Sequence, residues 1–149
     1  MAERPDLIEA MWEMPSPWPP FMLEDPVAGM FWGQLPVAFP ECQLLALDAH
    51  DTIIAKVHSV PFAWSGSDDD LSDRGLDAML ERAFHDREHD RQPTAASLVE
   101  ARVAPDHRGQ GLSYRLLEAT RSNAVRLGFD DLFGPVRPSN TSVHPGRLR

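Results

Sequence analysis

Leu98-Val-Glu-Ala-Arg-Val-Ala-Pro-Asp-His-Arg-Gly-Gln-Gly-Leu-Ser113 is the stretch that decides the fold. An apolar, β-branched run stops at Pro105, a short polar turn follows, and an Arg108-Gly109-Gln110-Gly111 loop leads into an amphipathic helix. The order is strand, loop, helix N-terminus. Unpaired backbone N–H groups and the positive end of the helix dipole converge there, which suits a phosphate or diphosphate. Gly109 and Gly111 carry no Cβ, so the chain can turn sharply and come close to a bulky ligand. Arg108 adds a fixed charge with a planar donor fork.

Helical periodicity supports the second half of the stretch. At 100° per residue Leu112, Leu116, Leu117, Ala119, Ala124 and Leu127 share one arc, with Arg115, Glu118, Arg121, Ser122 and Arg126 opposite. Ser113 falls toward the buried side, and Gly128 is a natural stop. The dinucleotide pattern G-x-G-x-x-G fails at Tyr114, and no G-x-x-x-x-G-K-[ST] run exists. An ordinary strand-to-helix turn that binds nothing remains the plain alternative.

The loop resembles the cofactor motif of the GNAT superfamily of N-acetyltransferases, Arg/Gln-x-x-Gly-x-Gly/Ala. It stands here as Arg108-Gly109-Gln110-Gly111-Leu112-Ser113, with serine in the last small position. Ala101-Arg102-Val103-Ala104-Pro105 is similar to that family's cofactor-facing strand end. Val136-Arg137-Pro138-Ser139-Asn140-Thr141 is similar to its next strand running into an Asn-started helix. The resemblance covers roughly residues 41–141.

It implies an acetyl-CoA-dependent transfer of an acetyl group to a primary amine of a small molecule or protein. Ala101, Arg102, Val103, Arg108, Gly109, Gln110, Gly111, Leu112, Ser113 and Asn140 would bind the acetyl-CoA. The backbone of 109–113 would hold the diphosphate, and the edge at Ala101 to Val103 would pair with the pantetheine arm. A backbone N–H near Val103 would polarise the thioester carbonyl. Glu100 would be the general base, because an ammonium near pKa 10 must lose a proton before it attacks a thioester. A salt bridge to Arg102 is the structural alternative for Glu100.

The rest of the chain reads as one domain over residues 1–149. Residues 1–40 are rich in proline and aromatics, 41–141 hold the sheet and cofactor core, and 142–149 form a tail. A short helix is expected at 6–14. The aromatics Trp18, Phe21, Phe31, Trp32 and Phe39 pack on the sheet or line an acceptor wall. Cys42 to Leu47 and Thr52 to Trp64 form a hairpin about Asp48-Ala49-His50-Asp51. A helix over roughly 73–89, a strand over 96–104, a helix over 110–127 and a strand over 132–136 complete the order. The fold class is α/β, a GNAT-like mixed and mostly antiparallel sheet flanked by helices. Measured against the resemblance, the family's C-terminal helix and strands are missing, and with them its usual tyrosine proton donor. That pattern also fits a non-catalytic CoA-binding or partner-binding remnant, and an unpaired sheet edge that favours a homodimer.

Composition bounds the partners. A net charge of −9 and a pI near 5.0 argue against nucleic acid or an anionic membrane; the charge serves solubility first, and also suits a cationic amine. No run approaches a membrane span and the acidic N-terminus is no signal peptide, so a cytoplasmic location is expected. Cys42 is alone and opens a strand, so no covalent nucleophile stands out. His85-Asp86-Arg87-Glu88-His89 matches H-x-x-E-H, but helical spacing turns both histidines away from the apolar stripe toward water. Asp68-Asp69-Asp70 starts like a calcium loop and fails at Asp73 and Met79. No metal is expected.

Overall fold

A computed structural model describes residues 1–16 and 18–135. The prolines of the N-terminal quarter break it into short helices: α1 (Ile8–Glu13), α2 (Pro20–Leu23), α3 (Pro26–Phe31) and α4 (Leu35–Ala38). Pro20, Pro26 and Pro36 sit in first turns, where a missing N–H costs nothing. Asp25 caps α3 by accepting from the N–H groups of Val27 and Ala28, each at 2.9 Å. Strands β1 (Gln43–Leu47) and β2 (Ile53–Phe62) form the expected hairpin. Asp48 closes its turn, its carboxylate accepting from the N–H groups of His50 and Thr52.

Helix α5 (Leu76–Glu88), strand β3 (Ala95–Val103), helix α6 (Leu112–Arg126) and strand β4 (Asp131–Phe133) follow. The sheet order is β1-β2-β3-β4, antiparallel except for the parallel β3–β4 pair, a mixed α/β architecture as expected. Element types from 43 to 133 agree with the sequence, with bounds shifted by a few residues, while residues 15–40, expected to be mostly irregular, hold α2, α3 and α4. Cys42 falls in a 3-10 turn rather than a strand. Residues 136–149, including Asn140, the segment Val136 to Thr141 and the tail, lie outside the described residues.

Two layers cover the sheet. Ala55 and Val57 of β2 face Leu116 of α6. On the other face Val60 packs with Leu35, Phe39, Leu80 and Phe84 from the N-terminal segment and α5. The β2–β3 register slips between His58 and Ser59, so Val99 is an extra residue in β3. Val99 therefore joins the core around Phe84 while its neighbour Glu100 also turns to the same face, opposite His58.

β4 pairs only with Ala95, Ala96 and Ser97. Past that point the outer edge of β3 has no strand beside it among the described residues. Ala104 donates its N–H inward to the carbonyl of Ile54 at 2.9 Å. Strand alternation then turns the N–H groups of Ala101 and Val103 outward, to that open edge.

Candidate active site

Two features meet at the C-terminal half of β3, one on each face of the sheet. The first is the 108–113 loop. Gly109 and Gly111 hold φ of +75° and +73°, left-handed conformations that disfavour any side chain, and a Cβ at either would meet no atom within 4 Å. The turn is open. Arg108 donates its N–H to the carbonyl of Pro105, and the first helical bond runs from Arg115 to Gly111. Among the described residues the N–H groups of 109–113 have no acceptor, and Gly111 as N-cap brings no side-chain bond. A cleft of about 300 Å³ adjoins them, lined by Ala101, Val103, Arg108, Ser113, Leu116 and Leu117. The structure thus brings the sequence-derived cofactor residues 101–103 and 108–113 to one place. Ser113 itself is exposed rather than turned inward, and so are Leu117 and Ala119, while Thr120 takes a buried position between Leu116 and Ala124.

The second feature is a closed polar box on the opposite face. Lys56, His58, Glu100 and Arg102 are all buried there, ringed by Trp12, Trp18 and Trp32. Glu100 Oε1 accepts from Trp18 Nε1 at 2.8 Å and from the Arg102 guanidinium. Arg102 also donates to the carbonyls of Met14 and Pro15, each at 3.1 Å, and to Ser16 Oγ. The salt bridge foreseen as the alternative for Glu100 is therefore present, and it pins the strap of residues 14–16 over the box. Arg102 turns its guanidinium into this box, and the residue also lines the cleft.

Glu100 Oε2 stays free of hydrogen bonds and faces Lys56 Nζ and His58 Nε2, each 3.7 Å away. Lys56 donates to the Met11 carbonyl and lies 5.1 Å from the centre of the Trp12 ring. Burial lowers the Lys56 pKa, with Glu100 working against that shift. Burial, then the Lys56 and Arg102 charges, depress His58 to about 3, so its imidazole is neutral. Lys56, His58 and the three tryptophans were not singled out as site residues from sequence. The cue available was polar Lys56 and His58 alternating with apolar Ala55 and Val57.

This neutrality has a measurable consequence. His58 titrates near 6.5 when unfolded and near 3 when folded. As pH falls the unfolded chain takes up this proton first. Stability should therefore drop from about pH 6.5 toward 3, by up to about 1.4 kcal/mol per pH unit. Melting temperature against pH should be flatter in that window for His58→Leu than for the wild type.

His85 and His89 are exposed, and no cluster of metal-binding side chains occurs among the described residues. Cys42 is buried and its thiol is pushed up to about 12, which leaves no thiolate nucleophile. Among the described residues no helix is long and apolar enough to cross a membrane.

The overall arrangement of strands and helices is shared with solved structures. The loading GNATL domain of CurA from Lyngbya majuscula superposes with a TM-score of 0.69 at 13% identity, over 97% of this chain and 66% of that one. The chain has the GNAT fold. A GNAT-like decarboxylase, GphF, solved with isobutyryl-CoA, gives a TM-score of 0.63 at 19% identity, over 97% of this chain and 68% of its own. At the sequence level this GNAT-fold chain is 32% identical, over 97% of its length, to the arginine N-acetyltransferase avaD of Aspergillus versicolor. It spans about half of that relative, 53% of its length. No family model matches the chain.

Proposed function

We propose that this GNAT-fold chain carries out acyl transfer from acetyl-CoA to a primary amine. One observation carries the reading: the unpaired N–H groups of 109–113 stand at a helix N-terminus beside an open strand edge. The named activity of the relative supports it, and makes the amine of a free amino acid such as arginine the first acceptor to test. The net charge of −9 disfavours nucleic-acid partners. The reading places the chain in the cytoplasm, and an unpaired sheet edge suits a homodimer.

The residues present fit acetyl-CoA. The N–H groups of 109–113 and the Arg108 guanidinium would hold the diphosphate, at glycines whose missing Cβ atoms leave room for it. The outward N–H groups of Ala101 and Val103 would bond the pantetheine arm, and one of them would polarise the thioester carbonyl. When bound, acetyl-CoA supplies an activated acetyl group. Glu100 removes one proton from the ammonium of the acceptor, so that its nitrogen gains a free electron pair. Asn140 is also assigned to this cofactor side, on sequence alone.

Calorimetry with acetyl-CoA tests the seat. Arg108→Ala should weaken binding about 10- to 100-fold, the worth of charge-assisted hydrogen bonds. Gly111→Asp should abolish it, because a side chain is strained at φ +73° and adds negative charge to the seat. Unchanged affinity in both variants would remove the site. Binding without thiol release toward any amine would instead mark a non-catalytic CoA-binding chain.

A further inference from the structure

We infer that the groove between β1 and α6 seats an extended acidic segment of a partner polypeptide, which joins the sheet beside β1 and sets its carboxylates against Arg115 and Arg126. The groove lies on the other flank of α6 from the acetyl-CoA cleft, and docking there does not depend on acyl transfer.

The backbone supplies the first half of the site. β1 is the outermost strand, and no strand lies beyond it among the described residues. Asp48 donates its N–H inward to the Thr52 carbonyl, and the Gln43 carbonyl accepts from the Met1 ammonium at 2.7 Å. Strand alternation therefore turns the N–H and C=O groups of Leu45 and Leu47 outward, where they have no partner among the described residues. The N-terminus covers only the first rung of this edge, since Ala2 already bonds back to the Pro40 carbonyl. An added strand would find donors and acceptors waiting at Leu45 and Leu47.

Side chains supply the second half. Beside that edge runs a groove of about 550 Å³, with Leu44, Ala46, Leu112, Leu116 and Ala119 along it. Leu44 and Ala46 pack onto the core of Ala55, Val57 and Leu116, so alternate side chains of an added strand would lie over an apolar floor. Arg115 and Arg126 also line the groove. They are eleven residues apart on α6, about 16 Å along its axis, which about five extended residues span. Asn123 fixes one of them. Its Nδ2 donates to the Glu41 carbonyl at 2.9 Å, so its Oδ1 accepts from Arg126 Nη2 at 2.7 Å. Neither arginine forms an ion pair among the described residues. Two unneutralised cations thus flank an apolar floor, on a chain whose net charge is −9.

Charge decides between occupants. A second copy pairing its β1 with this one would bring two α6 helices side by side, with four arginines together, and like charges oppose that. A strand reading acid, any residue, apolar, any residue, acid puts one carboxylate toward each arginine and its apolar side chain between them.

The test uses the intact chain and a labelled acetyl-Thr-Glu-Thr-Val-Thr-Glu-Thr-amide peptide, followed by fluorescence anisotropy. The peptide should bind at low ionic strength and weaken in about 0.5 M sodium chloride, which screens exposed charges. The same peptide with lysine in place of both glutamates should not bind. Combining Arg115→Glu with Arg126→Glu should lower affinity about tenfold, because two attractions become two repulsions. Leu45→Pro removes an outward donor and no ladder bond, a change that edge strands tolerate, and should lower affinity about fivefold. Melting curves confirm that both variants are folded. Absence of binding to the acidic peptide, equal binding of the two peptides, or unchanged affinity in the folded double variant would overturn the inference. So would a dimer in sedimentation velocity that Leu45→Pro dissolves, since a second copy would then fill the groove.

Discussion

Glu100→Gln should lower kcat by about 10²- to 10⁴-fold, the contribution typical of a positioned general base. The substitution is nearly isosteric. Its amide oxygen can still accept from Trp18 and Arg102 at the position of Oε1, so the strap over the box keeps its contacts. What disappears is the ability to take a proton at Oε2, the atom that faces Lys56 and His58 without a bond of its own. Because Glu100 and the 108–113 loop lie on opposite faces of β3, acetyl-CoA affinity by calorimetry should change little. Removing the one carboxylate also leaves Lys56 and Arg102 buried without a counter-charge. The melting temperature must accordingly be followed alongside kcat, with assays run well below it. A folded variant that turns over at the wild-type rate would remove Glu100 from the mechanism.

The strand–loop–helix unit was legible because its signals are local. Pro105 ends the strand, two glycines make the turn, and a 3.6-residue period starts at once. The face of α6 was less so. Leu117 is 49% exposed although it lies on the apolar arc, and Thr120 is buried because its hydroxyl bonds back to the Leu116 carbonyl at 2.8 Å. Periodicity marks a direction but does not say how wide the covering sheet is. The polar box was invisible for a deeper reason. It exists only through the register that sets Lys56 against Arg102 and His58 against Glu100, and through the slip at Val99. Polar residues alternating along a strand ordinarily read as its wet face. Here the wet face is roofed by the tryptophans of a proline-broken segment whose path no local rule predicts. Net charge says nothing of the box either: the chain is acidic at −9, yet two basic side chains and one carboxylate share it.

The same register makes Arg102 the residue whose loss should cost the fold most. Its guanidinium holds Glu100 on one side and the Met14 and Pro15 carbonyls and Ser16 Oγ on the other, so it joins strand to strap. Arg102→Met keeps the length and apolar stem but removes every one of those donors. An uncompensated buried charge typically costs about 3–5 kcal/mol. For a domain of this size each kcal/mol moves the melting temperature by about 2–4 °C, so a fall on the order of 10 °C is expected. Limited proteolysis should become faster within residues 12–18 as the strap loosens. Lys56 alone does not rescue the pair, because its ammonium stands 3.7 Å from Glu100 and is itself pushed toward the neutral form by burial. The decisive comparison is the double variant Arg102→Met/Glu100→Gln. With the orphaned carboxylate gone, it should regain part of the lost stability, the remaining deficit being Lys56 left buried without a counter-charge. A single variant as stable as the wild type, or a double variant no better than the single one, would show that the guanidinium–carboxylate pair does not hold the strap to the sheet.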